Sequence, residues 1–146
     1  MSQRMSVAEV APEGFHAVLQ LEQYVRKAVD PKVLELVKLR ASMLNGCAFC
    51  VDMRSQDALA NGESSRRLFA VAAWREAPFF TARERAALAL TDEVTRLGEA
   101  GVTDQTWEEA RKVWSEEEIA HLLLAIATIN VWNRLAVATR MAPPTA

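Results

Sequence analysis

Cysteine occurs only twice in the 146 residues, glycine and proline five times each, histidine twice and tyrosine once. So few turn-formers leave little room for the β-turns of a sheet protein. With Ala, Leu, Glu and Arg abundant, the expected class is all-α. Neither sign of charge is in excess: 17 Lys and Arg stand against 19 Asp and Glu, interspersed, for a net charge of -2. That balance argues against a nucleic-acid or membrane surface patch. No apolar run is expected to reach the length of a membrane span. The opening stretch MSQRMSVAEVAPEG has no hydrophobic signal core, so the expected location is cytoplasmic. There a close cysteine pair reads as redox-active or metal-binding. A Gly-rich nucleotide loop and a β-α-β pattern are both missing, so no bound nicotinamide or flavin is expected.

What is there is apolar helix. Hydrophobic residues make up 51% of the chain, enough for one core of ordinary domain size. Residues 1–13 read as a loose tail and 14–146 as a single helical domain of about six or seven helices. The first helix is expected over Phe15–Val29, with Val18, Leu21, Val25 and Ala28 near one face. Asp30-Pro31 is a start signal for a second helix to Leu44, with Leu34, Val37, Ala41 and Leu44 as its stripe. Asn45-Gly46 breaks that helix. A third, Cys47 to Ala60, ends at Asn61-Gly62. A short fourth, capped by Ser64 or Ser65, reaches Trp74. Thr81-x-x-Glu84 and Ser115-x-x-Glu118 are capping boxes for helices to Leu97 and Thr139. Thr103 caps another to Val113.

The chemistry concentrates in ELVKLRASMLNGCAFCVDMR, Glu35 to Arg54. Cys47 and Cys50 stand three apart in a predicted first turn, on one face and within disulfide reach. The helix N-terminus favours a thiolate. One thiolate can attack a peroxide oxygen and become a sulfenic acid, and the other can resolve it to a disulfide. Two other readings stay open. The pair can be inert and buried, or it can bind metal, although only His16 and His121 remain as soft partners and neither is spaced for a local site.

The stretch resembles the core of the carboxymuconolactone decarboxylase superfamily, in its alkylhydroperoxidase D-like branch. That pattern is a glutamate, then Ser-x-x-Asn-x-Cys-x-x-Cys, then a histidine four residues on. Glu35, Ser42, Asn45, Cys47 and Cys50 match it, and Arg54 stands where the family has histidine. The likeness runs to about Leu97 and returns at Ile129–Arg134, INVWNR. The resemblance implies that Cys50 attacks a hydroperoxide, Cys47 resolves it, and Glu35 serves a proton relay. It implies an external dithiol reductant, a lipoyl-type protein among the candidates, and a homo-oligomer, trimer or hexamer. Arginine at position 54 cannot relay protons as histidine does. It can stabilise a thiolate, pair with Glu35, bind an anionic group, or sit on the surface beside Asp52 or Asp57.

Two alternatives accompany this reading: a non-enzymatic redox sensor or structural clasp, and a lactone decarboxylase on the same fold. Ser42 and Asn45 are read as helix-end chemistry. His121, Trp132, Asn133 and Arg134 are read as packing or subunit contacts.

Overall fold

Most helices begin where side chains can satisfy their first free N–H groups. In the computed structural model, which describes residues 2–145, the elements are α1 (Val7–Val10), α2 (Pro12–Ala28), α3 (Pro31–Leu44), α4 (Ala48–Ala60), α5 (Ser65–Ala70), a 3-10 turn (Val71–Ala73), α6 (Ala82–Thr95), α7 (Asp104–Val113) and α8 (Glu116–Thr139). The all-α class is as expected, and no strand occurs among the described residues. Asp30 caps α3 by accepting from Lys32 N, with Pro31 in the first turn. Both capping boxes form, at Thr81/Glu84 and Ser115/Glu118.

Three differences have local causes. The first residues carry the extra turn α1, and Arg4 N donates to Thr139 O at 2.8 Å, so this stretch docks on the end of α8 where a loose tail is expected. The fourth helix tightens into the 3-10 turn before Trp74. And α4 begins at Ala48, one residue later than expected. Cys47 is its N-cap, with its sulfur accepting from Cys50 N at 3.2 Å.

Helix α3 is the axis, packed against α4, α6 and α8. Leu34 and Val37 join Val25, Leu90 and Ile126 in one core cluster, while Leu36 and Leu39 join Leu68, Trp74 and Leu88 in another. Buried on opposite sides, α3 has no single apolar stripe. Helix α8 is long and apolar enough by composition to cross a membrane, which corrects the expectation that no run is. Its Ile119, Leu122, Ile126 and Ile129 are buried inside this fold instead.

A ladder of polar side chains fixes α3 to α8. Asn45 Nδ2 donates to Asn130 Oδ1 (2.8 Å) and Asn133 Oδ1 (2.9 Å). Asn133 Nδ2 donates to Ser42 Oγ (3.0 Å), whose hydroxyl donates to Lys38 O (2.7 Å). Asn130 Nδ2 continues to Thr95 Oγ1 on α6 (3.1 Å). The two stretches carrying the family resemblance thus meet across this ladder. Asn133→Leu should cost about 2–3 kcal/mol, because the Asn45 and Ser42 side chains each lose a partner in a buried setting. Val137→Ala, on an exposed side of the same helix, should stay within about 0.5 kcal/mol. Urea unfolding midpoints at constant slope check both.

Candidate active site

Gly46 ends α3 in the left-handed region (φ 65°), a conformation cheap only for glycine. The chain reverses there, and Cys47 N donates back to Ser42 O at 3.0 Å. This turn aims the next helix so that its first residues lie inside the fold. Cys47 and Cys50 are 1% and 2% exposed and joined as a disulfide, Cα to Cα 5.2 Å.

The two sulfurs are not equivalent. Cys50 lines a cavity of about 330 Å³, and Cys47 does not. Phe15, Leu19, Phe49, Met53, Trp132 and Leu135 give this cavity an apolar wall, and Glu22, Arg26 and Arg54 form its charged end. Arg54 is 5% exposed, so it is no surface arginine. Its Nη2 is 3.3 Å from Glu22 Oε1, and Asp57 stands farther off at 3.9 Å.

Glu35 goes elsewhere. It accepts from Asn61 Nδ2 at 2.5 Å and lines a second hollow of about 390 Å³, with Arg26, Lys38, Arg54 and Asp57. Glu35 and Arg54 thus share that hollow, and Glu35 is not part of the cavity at Cys50. Ser42 and Asn45 act in the ladder rather than on the thiols. His121 is hydrogen-bonded to Tyr24 Oη at 3.2 Å. Among the described residues no three His, Cys, Asp or Glu side chains gather as metal ligands.

The carboxylate that meets Arg54 is Glu22, a residue not singled out from sequence. It is 5% exposed, and its Oε1 also takes Lys38 Nζ at 2.7 Å; Lys38 is 3% exposed. A signal was present. Glu22 interrupts the apolar face of α2 between Val18 and Val25, and Lys38 interrupts that of α3 between Leu34 and Ala41. Opposite charges inside two apolar stripes point to a buried pair.

One buried carboxylate thus faces two buried cations. Burial, then the nearby Arg54 charge, pushes the Lys38 ammonium down from 10.5 to about 8. Burial also lowers Arg54 from its usual range, though it stays a cation at neutral pH. Among the described residues, three buried side-chain atoms have no partner: Glu22 Oε2, Arg54 Nε and Trp132 Nε1. All three belong to residues of the Cys50 cavity. Unpartnered polar atoms of this kind are uncommon in a folded interior, and here they cluster in residues that line one cavity.

Comparison with known proteins agrees with this architecture. The model of the carboxymuconolactone decarboxylase family matches residues 12–93, from α2 into α6. The uncharacterized protein YdfG of Bacillus subtilis (strain 168) is 39% identical over 139 residues, covering 94% of this chain and 95% of that one. The crystal structure of a protein of unknown function from Agrobacterium tumefaciens, ATU0492, provisionally described as the antioxidant defence protein AhpD, superposes with a TM-score of 0.96 at 41% identity, over 99% of this chain and 100% of that one. The debrominase Bmp8 shares the fold, with a TM-score of 0.81 at 20% identity over 92% of this chain and 73% of its own.

The depressed lysine gives a test of the buried pair. Between about pH 8 and 10.5 the unfolded chain holds a proton on Lys38 that the folded chain has released. The unfolded state binds more protons there, so this group makes stability rise with pH across that window. Lys38→Met should remove that rise. The difference in urea midpoint between wild type and variant, followed across the window, isolates it from other titrating groups.

Proposed function

The chain belongs to the carboxymuconolactone decarboxylase family, in its alkylhydroperoxidase D-like branch, and on that footing we propose that it reduces organic hydroperoxides through a Cys47/Cys50 dithiol–disulfide cycle. The observation that carries this reading is the asymmetry of the pair: Cys50 opens onto an apolar cavity and Cys47 stands behind it.

The reduced protein begins with Cys50 as thiolate, favoured by the N-terminus of α4 and by the Arg54 cation on the same cavity. The thiolate attacks the terminal oxygen of ROOH. The S–O bond forms as the O–O bond breaks, leaving Cys50 as sulfenic acid and the organic part as RO⁻, which takes a proton to become ROH. Cys47 then attacks the Cys50 sulfur. Its thiol proton leaves with the hydroxyl as water, and the disulfide forms. An external dithiol, a lipoyl-type protein among the candidates, restores both thiols in a cytoplasmic setting. The apolar wall suits an alkyl or aryl hydroperoxide better than hydrogen peroxide, which gains nothing from apolar burial. A homo-oligomer, trimer or hexamer, belongs to the same proposal: Leu124 of α8 and Leu19 and Tyr24 of α2 present apolar surface to solvent.

Cumene hydroperoxide consumption with a small dithiol donor tests the reading. Cys50→Ser should abolish turnover. Cys47→Ser should react once and stop at a sulfenic acid that a dimedone probe traps. Arg54→Gln should move the appearance of thiolate absorbance to higher pH, because a cation on the same cavity is lost. Cycling of the pair without peroxide turnover would support a redox sensor or clasp instead, and carbon dioxide release from a lactone would support a decarboxylase.

A further inference from the structure

The cavity and the hollow share a wall. Arg26 and Arg54 line both; Glu22 lines only the cavity, and Lys38 only the hollow. The 2.7 Å contact between Lys38 Nζ and Glu22 Oε1 therefore joins two spaces of different character. One is apolar, with the attacking sulfur. The other carries Arg26, Glu35, Asp57 and Asn61 and is open enough for water to enter. Glu22 lines the cavity, and its second carboxylate oxygen, Oε2, has no partner. Resting on the hydroperoxide reading, we propose that Lys38 and Glu22 form a proton route through this wall, supplying the proton that the leaving alkoxide takes and removing the one that Cys50 releases.

The chemistry balances with these two groups and water. Lys38 as ammonium passes a proton to Glu22 Oε1. The carboxyl turns and presents that proton inside the cavity. RO⁻ takes it and leaves as ROH, returning Glu22 to carboxylate, and neutral Lys38 regains a proton from water in the hollow. After the external dithiol has reduced the disulfide, the Cys50 thiol loses its proton by the reverse path, so one proton enters and one leaves per cycle. Arginine at position 54 cannot serve as donor at neutral pH, and its role is to hold Glu22 through the same oxygen, Oε1, that Lys38 contacts.

A lysine donor fits because its free base is reachable. With Glu22 and Arg26 on α2, Glu35 on its own helix, and Arg54 and Asp57 on α4 around it, burial and the Arg54 charge leave Lys38 titrating near pH 8. A donor poised close to the working pH is efficient in both directions.

Single-turnover disulfide formation, measured with reduced protein and cumene hydroperoxide against pH, tests the route. The wild-type rate should rise as Cys50 ionises and fall as pH passes about 8. Lys38→Arg keeps the charge and can keep the ion pair but releases no proton. It should lose about 100-fold at neutral pH, the scale of general acid catalysis, and lose the alkaline fall. Glu22→Gln should lose a similar factor, and Lys38→Arg is the variant expected to keep the fold, checked by cooperative unfolding. A second readout needs no peroxide: thiolate absorbance of wild type should show a second inflection near pH 8, absent in Lys38→Arg. A Lys38→Arg rate equal to wild type, with the alkaline fall intact, overturns the route while leaving peroxide reduction standing. A single inflection in both proteins overturns it as well. If wild type never oxidises with peroxide, the hydroperoxide reading falls and this route falls with it, and the thiolate titration then records only whether the groups are coupled.

Discussion

The cavity depends on one buried carboxylate. Glu22 reaches from α2 to Lys38 on α3 and Arg54 on α4, so a single oxygen pins three helices beside the cavity that Cys50 lines. Such a contact is not a stability device in the ordinary sense. Removing charges from water costs several kcal/mol per ion, and a well-packed apolar replacement is often as stable. What the cluster secures is an orientation: Arg54, buried and paired with Glu22, is held with its positive charge in the cavity wall. With Arg26 and Arg54 against Glu22, the charged end of the cavity carries an excess of positive charge.

The amide ladder serves a different purpose. Ser42, Asn45, Asn130 and Asn133 hold the end of α3 on α8, just before the turn that launches α4. A slip of α8 along α3 would break several short contacts at once, so the ladder sets a register that apolar packing alone leaves loose. Because Trp132 and Leu135 flank Asn133 in the same helix, that register also fixes the far wall of the cavity.

Much of this was legible in the sequence, wherever local chemistry decides. Asp30-Pro31, Asn45-Gly46 and the two capping boxes state their own structural consequences within four residues, and the helices they bound were found within a few positions. The motif around Cys47 and Cys50 was legible too, and with it the fold. What was not legible depended on partners distant in the chain. From sequence, Arg54 stands between a role in the site and a surface pairing with Asp52 or Asp57; the carboxylate it meets most closely lies 32 residues away. Glu35 and Glu22 illustrate the same point from both sides. The first matched the family spacing yet bonds Asn61, and the second matched no spacing yet meets the arginine, because tertiary packing, not helical period, decides which carboxylate turns inward. The N-terminal turn escaped for a related reason: its order comes from docking on the far end of α8, which no local propensity records.

Cys47 is at once half of the disulfide and the cap of α4. Oxidation state and helix end are therefore one variable. The sulfur that accepts the Cys50 N–H is also one of the two that the disulfide joins, so a change at the pair is felt first in the opening turn of α4, the turn that carries Phe49 and leads to Met53 and Arg54. The bond between the sulfurs and one wall of the chamber are thus built from the same few residues, and neither is altered without touching the other.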